Sequence, residues 1–323
     1  MKKREMFGKI GLVLGGGGGK GLFQVGAIAE IVKNNIPFCY AAGVSAGGVA
    51  AAKCLEVMPD AEEMEKAALI KFRTPPFLTN RELFRHPLKT KSLLDNAPLK
   101  RLIAELDMDK IMNSPIEFHV ITSNLLTGKE KVFSNRCGDP ELFRKAIIAS
   151  TAIPGVFRPE IINGAILIDG TVINPLPVKN AIAAGCDTII VVETDPKENL
   201  ISPEIFAEMG WLEILFRGYG FPVKQLIEKE LIRTSRINQN LIGLKLIQRK
   251  ITKAAGKKQK EIEAVFNENH FYFESRKKIR LIIIQPDKPL LTSGLKWTPN
   301  DAVQMIAEGK KIAEAELKKA GLI

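Results

Sequence analysis

A chain of 323 residues with 46% apolar content can bury a substantial core, as one large α/β unit or a unit with an appendage. Its four cysteines (Cys39, Cys54, Cys137 and Cys186) have neither metal-ligand nor C-x-x-C spacing, and no window of eighteen apolar residues occurs, so a cysteine-built metal site and a membrane-spanning helix are excluded. The net charge of +11 is uneven: Lys224 to Arg280 holds fifteen Lys/Arg against six Glu, a local excess of +9.

Ile10 to Leu14 reads as a buried first strand, followed by a glycine run and a helix-spaced segment from Leu22 to Lys33. Phe38 to Ala42 reads as a second strand and Ala50 to Leu55 as a helix. From Ala61 to Leu106 helical text is broken by Pro75, Pro76, Pro87 and Pro98. Ile116 to Thr122 is a strand, with Lys131 to Phe133 pairing near it. Pro140 to Ser150 is a helix, Ala165 to Ile168 a short strand, Val178 to Ala184 a helix and Thr188 to Val192 a buried strand. Strands alternating with helices predict a largely parallel, layered α/β core over residues 8–200. Residues 201–323 read as a mostly helical, basic extension packed on that core. It carries a late strand at 281–285 and a last helix, opened by Thr298-Pro299 and stopped by Gly321.

The sharpest local signal is Gly43-Val44-Ser45-Ala46-Gly47, between strand and helix. Such a nucleophile elbow needs small neighbours, because the serine backbone is strained and strand and helix pass close together. It makes acyl transfer the first hypothesis. Gly15 to Gly19, with Lys20 and Gly21, forms a second signal, also between strand and helix. Backbone free of side chains at a helix start points N–H groups at an anion. A P-loop fails, because Gly21 stands where Ser or Thr is needed and Leu14 where the leading Gly is needed. A dinucleotide fingerprint wants an acid at the next strand end, where Ala41-Ala42-Gly43 stands. The oxyanion of an acyl intermediate remains, because Ser45 ends the next strand and opens on the same sheet edge.

Serine needs an adjacent base. The three histidines suit the task poorly: His119 lies mid-strand, His86 precedes a proline, and His270 lies in the basic extension. Asp169 closes a strand and is followed by Gly170, and its carboxylate takes the serine proton directly if burial raises its pKa.

Together these residues resemble the patatin-like phospholipase family. The family's G-G-G-x-R/K-G matches Gly16 to Gly21, G-x-S-x-G matches Gly43 to Gly47, and D-G matches Asp169-Gly170. A block of small residues and prolines matches Ala149 to Pro159. The resemblance covers about Lys9 to Asp195. It implies a three-layer α/β/α sandwich with a mostly parallel sheet and a lipid acyl hydrolase of the phospholipase A or lysophospholipase type. It further implies Ser45 as nucleophile, Asp169 as general base, and Gly17, Gly18 and Gly19 as oxyanion donors. Gly16, Lys20, Gly21, Gly43, Gly47 and Gly170 support these as motif residues, and no metal or cofactor is implied. Two positions depart from the pattern. Thr171 stands where Gly or Ala is usual, and Lys20 where Arg is commoner, so the planar fork that pins backbone carbonyls is lost.

The bulky apolar stretch Ile205 to Arg217 beside the basic segment suits an anionic bilayer, each nearby cation contributing ~1 kcal/mol. A helix packed on the core or at a homodimer contact accounts for it as well. Beyond Phe271-Tyr272-Phe273 few aromatics interleave the cations, so nucleic-acid binding is not expected. A lipid-binding or scaffolding protein that kept the fold but lost turnover is the competing functional class. A charged N-terminus without a leader pattern, together with the cysteine usage, points to the cytoplasm, with peripheral membrane contact.

Overall fold

The computed structural model describes residues 7–80, 90–197, 203–207, 209–268, 277–290 and 294–323. Its first half follows the strand–helix alternation: β1 (Ile10–Leu14), α1 (Gly21–Lys33), β2 (Phe38–Val44), α2 (Ala46–Val57) and α3 (Ala61–Lys71). Next come α4 (Ala97–Ala104), α5 (Met108–Asn113), β3 (Glu117–Asn124), β4 (Lys129–Ser134) and α6 (Pro140–Ser150). Helices α3, α5 and α6 each start on an Asp (Asp60, Asp107, Asp139) whose carboxylate accepts an N–H of the first turn. After them come β5 (Glu160–Ile162), β6 (Ala165–Asp169), α7 (Val178–Ala183) and β7 (Thr188–Val192). The C-terminal part holds α8 (Trp211–Ala254), α9 (Gln259–Glu268), β8 (Arg280–Ile284) and α10 (Pro299–Ala320).

The strands form one mixed sheet in the order β8-β7-β1-β2-β3-β6-β5, with β4 also paired to β3. The run β8-β7-β1-β2-β3 is parallel, whereas β4 and β6 run antiparallel to β3. The central strands β1, β2 and β7 are near-continuously apolar because both their faces are covered. Leu12, Leu14, Ala41, Ile190 and Val192 pack into the larger apolar layer with α1–α6 and α10. Val13, Tyr40, Ala42, Ile189 and Val191 pack on the opposite face with α7 and part of α8. Each fully buried Leu, Ile or Phe there contributes roughly 1.5–3 kcal/mol.

The late strand and last helix are built into the core. β8 pairs with β7 in parallel, from Arg280 opposite Thr188 to Ile284 opposite Val192. α10 packs along α1, where a Cβ on Gly26 would stand 2.0 Å from Ile306 O and one on Gly309 2.0 Å from Phe23 O. Two bare backbones therefore touch at that crossing, and any side chain would push the helices apart. Among the described residues, no helix is long and apolar enough to cross a membrane.

Two strands share one edge of β3 and set the site. β2 pairs with β3 up to Val44 opposite Ile121, and β6 pairs with the next position, Asp169 opposite Thr122. β4 occupies the other edge over the same stretch. β2 and β6 thus run head-on, and their carboxyl ends meet. The residue after Val44 is Ser45.

Candidate active site

Ser45 has φ 54° and ψ −127°, a left-handed backbone that a non-glycine residue adopts only under constraint. The constraint is close packing on both sides. A Cβ on Gly43 would lie 2.6 Å from Gly47 O, and one on Gly47 would lie 2.6 Å from both Gly15 O and Leu14 O. The Ser45 N–H donates to Ser150 Oγ at 2.8 Å, and that hydroxyl donates to Ile121 O at 2.7 Å. Ser150 belongs to the Ala149–Pro159 block, so that motif anchors the elbow from beneath. The Ser45 side chain does not cap α2.

Asp169 is fully buried at the end of β6. Its Oδ1 accepts two bonds from Thr171, from the backbone N–H and from Oγ1, both at 2.8 Å. Its Oδ2 has no partner among the protein groups. Burial pushes the carboxyl up to about 6, against the opposing pull of the Ser45 hydroxyl and of the Thr171 amide and hydroxyl. The Ser45 hydroxyl thus favours the charged form of the carboxylate, and Oδ2 keeps no bonded partner among the protein groups.

The glycine loop crosses the same point. A Cβ on Gly16 would lie 3.5 Å from Ser45 Cβ and only 2.2 Å from Thr171 Cγ2. The loop's carbonyls are tied back. Gly15 O accepts from Gln24 Nε2 at 2.7 Å, Gly16 O from Thr194 Oγ1 at 2.9 Å and Gly17 O from the Lys20 N–H at 3.1 Å. No described residue accepts from the N–H of Gly17 or Gly18. Gly19 differs from the sequence expectation: its N–H donates to Gly294 O at 2.7 Å, and Trp297 packs where its Cβ would be. An amide already donating to the protein is poorly placed to hold an oxyanion, so of the three glycines expected as donors Gly17 and Gly18 stay open.

Lys20 makes an ion pair with Asp195, so it braces the loop against the end of β7. Asp195 and the neighbouring Thr194 give their N–H groups to Glu193 Oε1, both at 3.1 Å. Glu193 is itself buried, and its carboxyl is pushed up to about 8, first by burial and then by the Asp195 charge.

An apolar cavity opens beside Ser45, with about 1060 Å³ of empty space, its open mouth included. Leu22, Val25, Met64, Phe77, Ile103 and Trp297 wall it, and Ser45 lines it. Trp297 Nε1 donates to Phe72 O at 2.8 Å, which fixes that wall. Lys53 and Lys71 also reach the cavity, and each is paired, with Glu56 at 2.8 Å and Glu105 at 2.7 Å.

His119 serves the core. One ring nitrogen bonds Tyr40 Oη at 3.0 Å and the other Glu117 Oε1 at 2.8 Å, so both are engaged. His86, His270 and Phe271 to Phe273 lie outside the described residues. So do Glu208 and the side chains of Ile205, Trp211, Leu212 and Phe216 in the apolar stretch, in which Phe206, Ile214 and Leu215 are exposed. No group of His, Cys, Asp and Glu with metal-site geometry occurs among the described residues.

Three contributors carry no motif. Gly294 and Trp297 clamp the glycine loop from beyond the resembling segment. Tyr219 of α8 brings its hydroxyl 3.3 Å from Thr171 Oγ1. In the sequence, only the departure at Thr171 marked this corner of the site.

The sequence profile of the patatin-like phospholipase family matches residues 12–182. An uncharacterised NTE family protein of Mycobacterium bovis is 26% identical over 219 residues, 65% of this chain and 56% of its own length. The uncharacterised protein YjjU of Escherichia coli is 27% identical over 217 residues, 64% of this chain and 57% of its own. Lysophospholipase NTE1 of Saccharomyces cerevisiae is 26% identical over 225 residues, which span 65% of this chain and 12% of the yeast protein. The match thus spans little more than half the length of the bacterial relatives. Among solved structures, VipD from Legionella pneumophila aligns over 96% of this chain and 67% of its own, at 12% identity and a TM-score of 0.47. With more than half of its residues matched by the profile, and with a central mixed sheet between helical layers and a helical C-terminal region, the chain belongs to the patatin-like phospholipase family.

Proposed function

We propose that this protein is a serine acyl hydrolase that cleaves fatty-acyl esters of lipids, of the phospholipase A or lysophospholipase type, through Ser45 and Asp169. One observation carries the reading. A strained serine and a buried carboxylate with one free oxygen meet where two strands end head-on, under a loop with two open amides. Asp169 Oδ2 takes the hydroxyl proton as Ser45 Oγ bonds the ester carbonyl carbon. The carbonyl oxygen becomes an oxyanion held by the N–H groups of Gly17 and Gly18, and losing one such donor weakens transition-state binding by ~3 kcal/mol. The intermediate collapses, the bond to the alcohol oxygen breaks, and the proton on Asp169 passes to that leaving oxygen. A water then gives a proton to Asp169, its oxygen bonds the acyl carbon, and Ser45 Oγ leaves with the proton restored. The apolar cavity holds the acyl chain.

In this reading residues 8–200 form the hydrolase core and 201–323 the extension, whose β8 and α10 are joined to that core. The Lys224–Arg280 segment, with exposed Ile232, Ile237, Leu244 and Ile247 on α8, meets an anionic lipid surface. A homodimer contact is the second use that these exposed apolar residues support.

The test is hydrolysis of lysophosphatidylcholine and p-nitrophenyl esters by wild type, Ser45→Ala and Asp169→Asn. Loss of at least about a thousandfold in each variant, with the fold intact, is expected. No turnover by wild type across a panel of acyl esters, together with retained binding of lipid, favours the scaffolding reading instead.

A further inference from the structure

We propose that Tyr219 is a positioning residue for the hydrolase reaction: it holds Thr171 so that Asp169 keeps Oδ1 occupied and turns its free oxygen toward Ser45. The inference rests on the Ser45–Asp169 reading and adds to it a residue outside the family-matched segment.

Proton counting gives the direction of the chain. The Thr171 hydroxyl has one proton, and at 2.8 Å from Asp169 Oδ1 it donates there, because the carboxylate oxygen is the stronger acceptor. Tyr219 Oη, 3.3 Å from Thr171 Oγ1, is then the donor to Thr171. Burial keeps the Tyr219 phenol protonated, pushed up to about 12, as a donor must be. The groups that act on Asp169 are Ser45 and Thr171, and Tyr219 is the titratable group that faces it from α8. Thr171 is fixed on a third side as well, since its methyl fills the space beside Gly16. One side chain thus joins the carboxylate, the glycine loop and the long basic helix. With Oδ1 saturated by two Thr171 donors, only Oδ2 is left for the serine proton. If Thr171 turned away, Oδ1 would lose a donor and compete for that proton, and the charged carboxylate would lose part of its stabilisation.

The experiment measures the rate at which a fluorophosphonate labels Ser45 across pH 4–9, which needs no known natural substrate. The proteins are wild type, Tyr219→Phe, Thr171→Val, Thr171→Ser and the Tyr219→Phe/Thr171→Val pair. Tyr219→Phe keeps the ring and its packing. It is expected to slow labelling about three- to tenfold at pH 6 and to move the acid limb up by roughly half a pH unit. Thr171→Val is expected to move the limb further, Thr171→Ser to stay near wild type, and the pair to match Thr171→Val alone, because the phenol acts only through that hydroxyl. An unmoved acid limb in Tyr219→Phe, or full additivity in the pair, overturns the proposal. Asp169→Asn separates the two levels: if that variant labels at the wild-type rate, the dyad reading fails. If it is inert while Tyr219→Phe is unchanged, only the role of Tyr219 fails.

Discussion

The contact between Gly16 and Thr171 gives a test that depends on sterics alone. Gly16 is not among the glycines with a left-handed φ, so alanine there adds no left-handed strain. Its new Cβ would stand 2.2 Å from Thr171 Cγ2, where ordinary contact begins at about 3.4 Å, and its next neighbour is Ser45 Cβ at 3.5 Å. Thr171 cannot swing aside freely, because its hydroxyl is held by Asp169. Either the glycine loop lifts or the threonine turns and releases the carboxylate. Overpacking of this kind destabilises by roughly 1–3 kcal/mol. A displacement of about 1 Å at the reacting groups lowers turnover by roughly a hundredfold. Thr171→Ser removes the offending methyl and keeps the hydroxyl. The double variant Gly16→Ala/Thr171→Ser should therefore recover most of the activity and melting temperature that Gly16→Ala loses. The assay is ester hydrolysis with parallel thermal denaturation of the four proteins. If the double variant is as impaired as Gly16→Ala alone, the clash with Thr171 is not what limits the loop, and the placement argued for it is wrong.

Other outcomes follow from the same geometry. Asp169 works as a base only when ionised, so kcat/KM should fall as pH drops through about 6, seen as an acid limb in a pH–rate profile. The sign for stability is the reverse: a carboxyl raised from 3.8 in the free chain to about 6 in the fold destabilises the folded state progressively as pH rises through that interval. Asp169→Asn should then melt higher than wild type at pH 7–8, with the gain shrinking toward pH 4. The raised carboxyl of Glu193 behaves in the same sense, so Glu193→Gln should leave the melting temperature unchanged or raise it at pH 8. Ala67→Trp, on the cavity wall, should shift ester preference toward short acyl chains in a chain-length series while acetyl-ester hydrolysis persists. Replacing four lysines or arginines of α8 by glutamate should reduce sedimentation with phosphatidylglycerol vesicles but not alter hydrolysis of a water-soluble ester.

Much of the fold was legible because its signals are local. Apolar runs of four to five residues gave β1 and β7, which are buried, and β8, which pairs in parallel at the sheet edge, and Thr298-Pro299 and Gly321 bound the last helix. Ser45 announced itself because an elbow needs glycine on both sides, and Asp169 because it ends a strand. What stayed hidden is set by non-local pairing. Nothing in Ala165 to Asp169 says that this strand runs antiparallel and meets β2 end to end, yet that is what brings the carboxylate to the serine. The state of the Gly19 amide depends on Gly294, 275 positions away, and Gly294 lies in text with no motif. Tyr219 reads as one more aromatic in a long helix, and only its approach to Thr171 gives it meaning.

The pairing of Ser45 with Asp169 is tested by peptide mapping with mass spectrometry after reaction with a fluorophosphonate at neutral pH. A single adduct on Ser45 is expected in the wild type, and no adduct in Ser45→Ala. The labelling rate in Asp169→Asn is expected to fall by at least about a hundredfold while the melting temperature holds or rises. An adduct on another residue, or labelling of Asp169→Asn at the wild-type rate, would contradict the pairing.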